Sequence, residues 1–482
     1  MRWALVASLL VSGCGGEVAN PRSCIDGTCT SEAYPFCDLD GSFAGTPELC
    51  IAVTCEPSSF AQCRGDVALT CNATGTDYDL LDCPLGCQDG IGCRVCEPNE
   101  SVCANGAVQT CDALGNVTSS ESCPLGCFQD EPRCRELVPS NGLGQFFDLA
   151  QDPPDLDLVN ALFDTGTGVV YVAGSTISVP NFNAGNGTGP SIRVFVVGSL
   201  RVDGARAFSD IDPVGLSGPA IAIIARNGIT IDGRLTVSAV AGGLKTGCVG
   251  GAGQYFEDSD GEPVRSSGSG GGGHATAGGR GGDVGTVYLG GAGGEAGGND
   301  SLVPLRGGCA SGIEFAAGGG GAIQLVSLTS IQINGIIDAR GSSGYPEQCG
   351  NTGSCLYGGG AGGGILLEAP EVTLAASSAL IAKGGAGHGG CALPPPDDSA
   401  SPVAPTTCTV GAVAGVTGGT GSSGTANGGD GSSSTSTGQF AFGGGGGGGA
   451  GRIRVNTRLG TYTKDSTAVE AGVSTAGVVG TR

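Results

Sequence analysis

Two histidines, His274 and His388, are the only imidazoles in the 482-residue chain, so they are the first candidates for acid–base catalysis. Both lie in glycine-rich stretches, where we expect nothing to fix the geometry of the ring. His388 precedes Cys391 by three residues, which suits a pair of metal ligands. However, a disulfide at Cys391 would remove the thiolate, and a metal ion would need two further ligands. The sequence therefore predicts no catalytic histidine and no metal site.

The carboxylates give only weak signals for chemistry. Asp338 and Arg340 project from one face of a predicted strand and could act as acid and base, although a surface ion pair is the simpler interpretation. Residues 38–41 and 258–262 hold carboxylates at calcium-loop spacing, but neither segment completes the twelve-residue EF loop. The glycine runs lack a Gly-Lys-Ser/Thr phosphate loop. We predict no catalytic residue and no bound cofactor.

The first residues of the chain form a processing signal. Arg2 is followed by an apolar run over residues 4–11 that is too short to span a bilayer. The run ends in Val11-Ser12-Gly13-Cys14, which resembles the lipobox of bacterial lipoproteins. This resemblance implies that residues 1–13 are a cleaved signal peptide and that Cys14 carries diacylglycerol. An ordinary secretory signal followed by a chance cysteine is the alternative.

The cysteine content and the charge indicate an exported protein. Twenty-three cysteines are too many for a reducing cytosol, and 22 remain to pair after Cys14. The 45 acidic and 22 basic residues give a net charge of −23, which argues against binding to nucleic acid. No later stretch of 18 apolar residues exists. We expect acylated Cys14 to hold the protein on a lipid bilayer, at the outer membrane or cell surface.

An internal repeat appears when the cysteines are aligned. Four cysteines fall in an anchor segment, residues 14–54, beyond Cys14 itself, and six fall in each of the segments 55–95 and 96–135. In both six-cysteine segments the second and third cysteines are eight residues apart, the third and fourth twelve, and the fourth and fifth four. Units this short need disulfides for stability. Zinc is the alternative, which the absence of histidine in either segment disfavours.

A predicted linker covers residues 136–144. In the segment 145–482 that follows, short apolar stretches recur that alternate with period two, which predicts strands with one buried face. Several of these strands end in Asp-Gly or Asn-Gly pairs that suit tight turns. The best examples are Ile192, Val194, Leu200 and Val202 before Asp203-Gly204; Ile221, Ile223, Ile229 and Ile231 before Asp232-Gly233; and Ile323, Leu325, Ile331 and Ile333 before Asn334-Gly335. Looser copies are Ile365, Leu367, Val372 and Leu374, and then Ile453, Val455 and Leu459.

This strand–turn–strand pattern resembles right-handed parallel β-helices of the pectin-lyase type, so the expected fold is mostly β, a glycine-rich solenoid preceded by small disulfide-rich modules. A β-sandwich is the structural alternative. The layout of cysteine-rich units joined to glycine-rich strands is also similar to the glycine-rich surface lipoproteins of myxobacteria.

Long glycine-rich insertions, residues 242–320, 341–364 and 384–451, separate the strands and hold six cysteines. Their order along the chain suggests three local disulfides, Cys248 with Cys309, Cys349 with Cys355, and Cys391 with Cys408. Three glycine runs lead directly into strands, an arrangement that lets extended polyglycine segments pack side by side. We expect these insertions to depend on the cross-links for their order.

Two classes of function remain. A non-catalytic envelope protein with a structural, adhesive or glycan-contact role is favoured over a polysaccharide lyase or hydrolase on a β-helix scaffold. A lyase would show paired acids on the outward side of neighbouring strands, and the outward rows contain none. The predicted rows are Arg193, Ala222, Gln324, Leu366 and Arg454, and then Phe195, Ile224, Val326, Glu368 and Asn456. The partner expected from this class is a surface polysaccharide or protein.

Overall fold

The chain divides after Cys134 into two compact units. The computed structural model describes residues 22–24, 29–31, 33–34, 36–38, 46–52, 55–73, 75, 78–94, 96–150, 152–208, 218–237, 248–257, 263–312, 317–344, 346–349, 353–389, 416–435 and 441–482. The predicted signal peptide and Cys14 lie outside these residues. In the part of the chain that is described, no helix has the length and apolar character needed to cross a membrane.

The first unit consists of short antiparallel strands. They are β1 (Phe36–Asp38), β2 (Leu49–Ile51), β3 (Phe60–Arg64), β4 (Val67–Cys71), β5 (Tyr78–Asp82), β6 (Cys87–Gln88), β7 (Gly92–Cys93), β8 (Ser101–Ala104), β9 (Ala107–Cys111) and β10 (Val117–Ser122). Strands β3, β4 and β5 form one three-stranded sheet, and β8, β9 and β10 form another.

Eight disulfides hold this unit together, and all of them are local. The two six-cysteine segments share one connectivity, first to third, second to fifth and fourth to sixth, which their spacing alone leaves open. The bonds are Cys24–Cys37, Cys29–Cys50, Cys55–Cys71, Cys63–Cys87, Cys83–Cys93, Cys96–Cys111, Cys103–Cys127 and Cys123–Cys134. Because these thiols are oxidised, the close sulfur atoms of Cys24, Cys29 and Cys37 are not a metal site.

The second unit is also mostly β. Its helical elements are a 3₁₀ helix (Ser140–Gln145) and α1 (Phe146–Leu149). Its strands are β11 (Leu137–Val138), β12 (Leu156–Asp164), β13 (Val170–Val172), β14 (Ser175–Ile177), β15 (Asn181–Ala184), β16 (Ile192–Val197), β17 (Leu200–Phe208), β18 (Ala220–Ala225), β19 (Ile229–Ile231), β20 (Arg234–Val237), β21 (Tyr255–Glu257), β22 (Pro263–Ser266), β23 (Ala322–Ser327), β24 (Ser330–Ile333), β25 (Ile336–Asp338), β26 (Pro346–Cys349), β27 (Gly353–Leu356), β28 (Gly364–Glu368), β29 (Glu371–Leu374), β30 (Ala379–Ile381), β31 (Ala441–Phe442), β32 (Arg452–Thr457), β33 (Thr463–Lys464), β34 (Val469–Ala471), β35 (Val473–Val478) and β36 (Gly480–Thr481).

Two large and mainly parallel sheets share these strands. One has seven strands in the order β15-β16-β18-β23-β28-β32-β35. The other has twelve, with the main order β33-β29-β24-β19-β17-β20-β25-β30-β34. The chain alternates between them, so β18, β23, β28 and β32 are each followed by two strands of the twelve-stranded sheet.

Equivalent residues of successive strands are stacked in register. Ile221 pairs with Ile323, which pairs with Ile365 and then with Ile453. These residues belong to one buried cluster with Ile231, Ile333 and Leu374 of the other sheet. The core therefore fills the space between the two sheets, as the period-two alternation predicts. At one corner, Asn334 Nδ2 donates to Asp232 Oδ1 at 2.7 Å, so the predicted turn residues also stack.

The segment 136–144 is not a linker, which corrects the prediction made from its turn-forming composition. Leu137 and Val138 pair with β36, and the backbones of Glu136 and Arg482 exchange hydrogen bonds of 2.9 and 3.0 Å. Asn141 and Gly142 adopt left-handed φ angles of 60° and 70° inside the 3₁₀ helix. The residues that read as a linker therefore form a turn that packs within the second unit.

The glycine-rich insertions form what we term the glycine bundle, extended segments joined by backbone hydrogen bonds. Its described segments are 248–254, 266–283, 289–297, 307–312, 317–321, 339–344, 357–363, 382–389, 416–434 and 443–451. Most of the bonds link different segments, and the others mainly join two stretches of the same segment, such as Gly268 with Gly282. Extended backbone of this kind has no internal hydrogen bonds of its own. Glycine segments thus pack side by side, as expected, and backbone hydrogen bonds order these residues in addition to the Cys248–Cys309 disulfide.

Residues 443–449 run through the middle of the bundle. Their amides donate to three other segments in a three-residue rotation: Gly443, Gly446 and Gly449 to residues 266–272, Gly444 and Gly447 to 429–432, and Gly445 and Gly448 to 385–388. Their carbonyls accept from three further stretches of backbone: residues 279–282 and 419–422, which lie in other parts of two of these segments, and residues 359–362. A Cβ atom on any of these seven glycines would lie 2.0–2.1 Å from a backbone oxygen. Only glycine fits where six neighbouring stretches of backbone approach this closely.

Candidate functional site

Asp338, one candidate acid, is locked in an ion-pair network at the end of β25. The side chain is buried, at 2% exposure. Its Oδ2 accepts from Arg234 Nη1 at 3.1 Å, and its Oδ1 accepts from Arg340 Nε at 2.8 Å. The ion-pair interpretation of Asp338 and Arg340 therefore describes their geometry, although the pair is buried rather than on the surface. Two guanidiniums already occupy the carboxylate.

Glu368, the other acid in a position to react, lies in a closed polar cluster. Its carboxylate is 1% exposed and accepts four hydrogen bonds. The donors are Ser140 N at 3.0 Å, Ser140 Oγ at 2.7 Å, Gln324 Nε2 at 2.7 Å and Asn456 Nδ2 at 3.0 Å. These donors satisfy both oxygens, as a buried carboxylate requires. Glu368 therefore fastens the 3₁₀ helix to the seven-stranded sheet.

The outward rows of this sheet differ from the predicted rows at their first member. Parallel pairing places Val194 and Val196, not Arg193 and Phe195, beside Ala222 and Ile224. Phe195 instead enters the core, where its ring meets Phe163 edge-on at 5.2 Å. Arg193 is turned toward Thr165 and Gly166, whose carbonyls accept its hydrogen bonds.

The outward face itself is covered. Gln324, Val326 and Leu366 are fully buried there, and Asn141 of the 3₁₀ helix donates to Gln324 Oε1 at 3.0 Å. The same side chain donates to the Leu302 carbonyl at 3.3 Å, which ties the helix to a second covering segment. A polysaccharide therefore has no access to the carboxylate of Glu368 in this structure.

His274 is completely buried within the glycine bundle. Its Nδ1 lies 2.8 Å from the carbonyl oxygen of Gly362, so Nδ1 carries the proton in the neutral ring. The pKa of His274 is lowered to about 4, chiefly by burial and also by repulsion from Arg306 and Arg452, against the hydrogen bond to Gly362. The expectation that nothing fixes this ring is wrong, because the surrounding backbone hydrogen bonds hold it in place.

This burial predicts an acid-sensitive stability. The folded state takes up a proton on His274 only near pH 4, whereas the unfolded chain does so near pH 6.5. The contribution of neutral His274 to the free energy of unfolding is therefore fully present above pH 6.5, and about 3 kcal/mol of it is lost as the pH drops toward 4. The free energy of unfolding in urea, measured between pH 4 and 7, should depend less steeply on pH in His274→Gln than in the native protein. An equal pH dependence in the two proteins would contradict the assignment.

His388 is also buried, at 1% exposure. Its amide donates to the Tyr357 carbonyl and its carbonyl accepts from Gly445, both at 2.9 Å, so it belongs to the glycine bundle. Cys391, the metal partner considered for it, lies outside the described residues, as do residues 258–262 and 39–41 of the two calcium-type segments. The metal sites considered for His388 and for the two calcium-type segments therefore remain alternatives drawn from the sequence.

One of the three late disulfides is present in the described part of the chain. Cys248 and Cys309 form a disulfide bond. Cys349 and Cys355 lie on the paired strands β26 and β27, opposite Gly353 and Glu347, but their side chains lie outside the described part. Cys391 and Cys408 lie outside it entirely.

An open groove runs beside β29 and β33, and the sequence gives little sign of it. It is lined by Pro370, Glu371, Val372, Thr373, Arg458, Leu459, Thr461, Tyr462 and Thr463. Leu459, predicted as a strand residue, instead lies beyond the end of β32 and is 72% exposed. Burial raises the pKa of Tyr462 to about 12, helped by its hydrogen bond to Glu470, so its phenol stays neutral.

No protein-family model, no curated protein and no solved structure matches this chain.

The groove combines an aromatic ring, an aliphatic side chain, threonine hydroxyls and both signs of charge. Such a surface can hold the apolar and hydroxyl faces of a sugar without carrying out a reaction.

Proposed function

We propose that this chain is an exported lipoprotein of the cell envelope, anchored through acylated Cys14, that contacts a surface glycan or matrix protein without catalysis. The lipobox-like Val11-Ser12-Gly13-Cys14 supports the anchor. The nine disulfides of the described residues support an oxidising compartment, since such bonds are rare in the cytosol.

The scaffold in this proposal is a right-handed parallel β-helix. Its support is the alternation of the chain between two parallel sheets and the in-register pairing of Ile221, Ile323, Ile365 and Ile453. Parallel crossover connections are almost always right-handed in proteins, which gives the proposed hand. A stacked scaffold of this kind offers a long, regular and rigid surface for contact.

The observation that carries the contact function is the contrast between locked acids and an open groove. Asp338 and Glu368 are 2% and 1% exposed and fully engaged in ion pairs or hydrogen bonds. Leu459, on the rim of the groove, is 72% exposed. The two strand carboxylates considered for catalysis are therefore already engaged, whereas the groove offers exposed side chains suited to binding.

Glycan binding through the groove is tested by placing a charge at its apolar rim. In the protein lacking residues 1–14, Leu459→Asp should weaken binding to the preferred member of a panel of acidic and neutral polysaccharides at least about tenfold, because an unpaired carboxylate would be desolvated on binding. Val287→Asp is the matched control, since Val287 is 70% exposed in another part of the second unit. Equal losses in both variants, or none in either, would remove the groove from the proposal.

A further inference from the structure

Two arginines converge beside His274, although 146 residues separate Arg306 from Arg452 in the sequence. The amide of Gly297 donates to the His274 carbonyl at 2.6 Å. Arg452 Nη2 donates to the carbonyls of Gly297 and Gly298 at 3.5 and 3.4 Å. A Cβ atom on Gly298 would lie 2.7 Å from Arg306 Nη2. The backbone of these two glycines thus adjoins the side chains of Arg306 and Arg452 and the main chain of His274.

Among the described residues, the positive charge of this cluster is only partly compensated. Arg452 forms an ion pair with Asp300, whose side chain is 71% exposed. The structure gives Arg306 no ion pair within those residues. The Nε atoms of Arg306 and Arg452 and the Nε2 atom of His274 are buried, and none of the three has a hydrogen-bond partner there. Within the described residues, the one carboxylate paired in this cluster belongs to Asp300, and it is paired with Arg452 alone.

The pKa of Arg306 agrees with an excess of positive charge in the cluster. The pKa of Arg306 is lowered, first by burial and then by repulsion from Arg452. The guanidinium nevertheless stays charged, because arginine is not deprotonated in proteins at neutral pH. A half-buried cation beside a second cation is an unusual feature in a chain of net charge −23. An incoming anion would relieve this repulsion and gain charge-assisted hydrogen bonds.

We propose that Arg306 and Arg452 form a binding site for an oxyanion, a carboxylate, sulfate or phosphate group, at the edge of the glycine bundle. The planar guanidinium groups present paired N–H donors that match the oxygens of such groups. Asp300 competes with the ligand for Arg452 and so limits the affinity. Free inorganic anions and the acidic groups of glycans both carry such oxygens. We assign the site to an acidic glycan, and this assignment rests on the proposed contact function.

The test follows the two imidazoles by NMR, since His274 and His388 are the only histidines in the chain. Sulfate is titrated into the protein lacking residues 1–14 at constant ionic strength. Saturable shifts at His274 are expected, with an affinity at least about tenfold weaker in Arg306→Gln. Asp300→Asn removes the competing carboxylate and should bind sulfate about threefold more tightly, and this exposed change leaves the buried contacts intact.

Arg280→Gln is the matched control, because Arg280 is a half-exposed arginine of the same bundle that is paired with Asp283. Its sulfate affinity should equal that of the native protein. The absence of saturable shifts at His274, or equal affinities in all the variants, would overturn the anion site. A second arm uses a galacturonate oligomer. Sulfate binding without galacturonate binding would keep the site but overturn its assignment to an acidic glycan. If Leu459→Asp left glycan binding unchanged while sulfate still bound, the groove would be excluded and the anion site retained.

Discussion

Replacing Gly446 with alanine should destabilise the second unit by at least about 3 kcal/mol, which is measured as a lower midpoint of its unfolding in urea. The added Cβ would lie 2.1 Å from the carbonyl oxygen of Gly279. That oxygen belongs to the backbone of a neighbouring segment, so it can move away only if hydrogen bonds around it break. Each of those bonds contributes about 1 kcal/mol, and a broken one leaves buried polar groups unpaired.

Gly424→Ala provides the control within the same region of sequence. No atom lies within 4 Å of the Cβ position at Gly424. Alanine there should change the free energy of unfolding by less than about 0.5 kcal/mol. Near-native stability of Gly446→Ala, measured beside this control, would show that the segments around residues 443–449 are not packed as described.

Removing the Cys248–Cys309 bond should lower the stability of the second unit by about 4 kcal/mol, the amount expected for a loop with a sequence separation of 61. The double variant Cys248→Ser, Cys309→Ser avoids a free thiol. Both positions are buried, so the serine hydroxyls add a desolvation cost. The measurement is the urea midpoint of the second unit, followed by the near-ultraviolet signal of its tyrosines.

The matched control for this disulfide is Cys83→Ser with Cys93→Ser, which opens a loop with a sequence separation of 10 in the first unit. It should leave the transition of the second unit unchanged, because the chain divides into separate compact units after Cys134. A midpoint that moves equally in both double variants would contradict that division.

Much of the strand arrangement could be predicted from the sequence. Residues such as Ile221, Ile323 and Ile365 recur at equivalent positions, and period-two alternation specifies which of them face the core. The local pairing of Cys248 with Cys309 also followed from sequence order. At β16 the prediction failed by one residue, because Arg193 between Ile192 and Val194 fits an alternation with Arg193 outward, and only the pairing with Ile221 and Ile223 shows the true register.

The candidate sites could not be predicted, since they depend on contacts between distant residues. Glu368 is fixed by Ser140, which lies 228 residues away in a segment that reads as a linker. Arg306 and Arg452 meet only because the glycine bundle brings Gly297 and Gly298 beside both. The bundle is held by backbone hydrogen bonds, which leave no side-chain pattern in the sequence beyond the glycines themselves.

The central claim, contact without catalysis, is tested most directly by counting new chain ends. The protein lacking residues 1–14 is incubated with the acidic and neutral polysaccharides of the panel, and reducing and unsaturated ends are measured beside bound glycan. We expect binding to at least one polysaccharide and no ends above those of a protein-free blank. New ends that increase with time and disappear in Asp338→Asn or Glu368→Gln would contradict the account and identify a lyase or hydrolase.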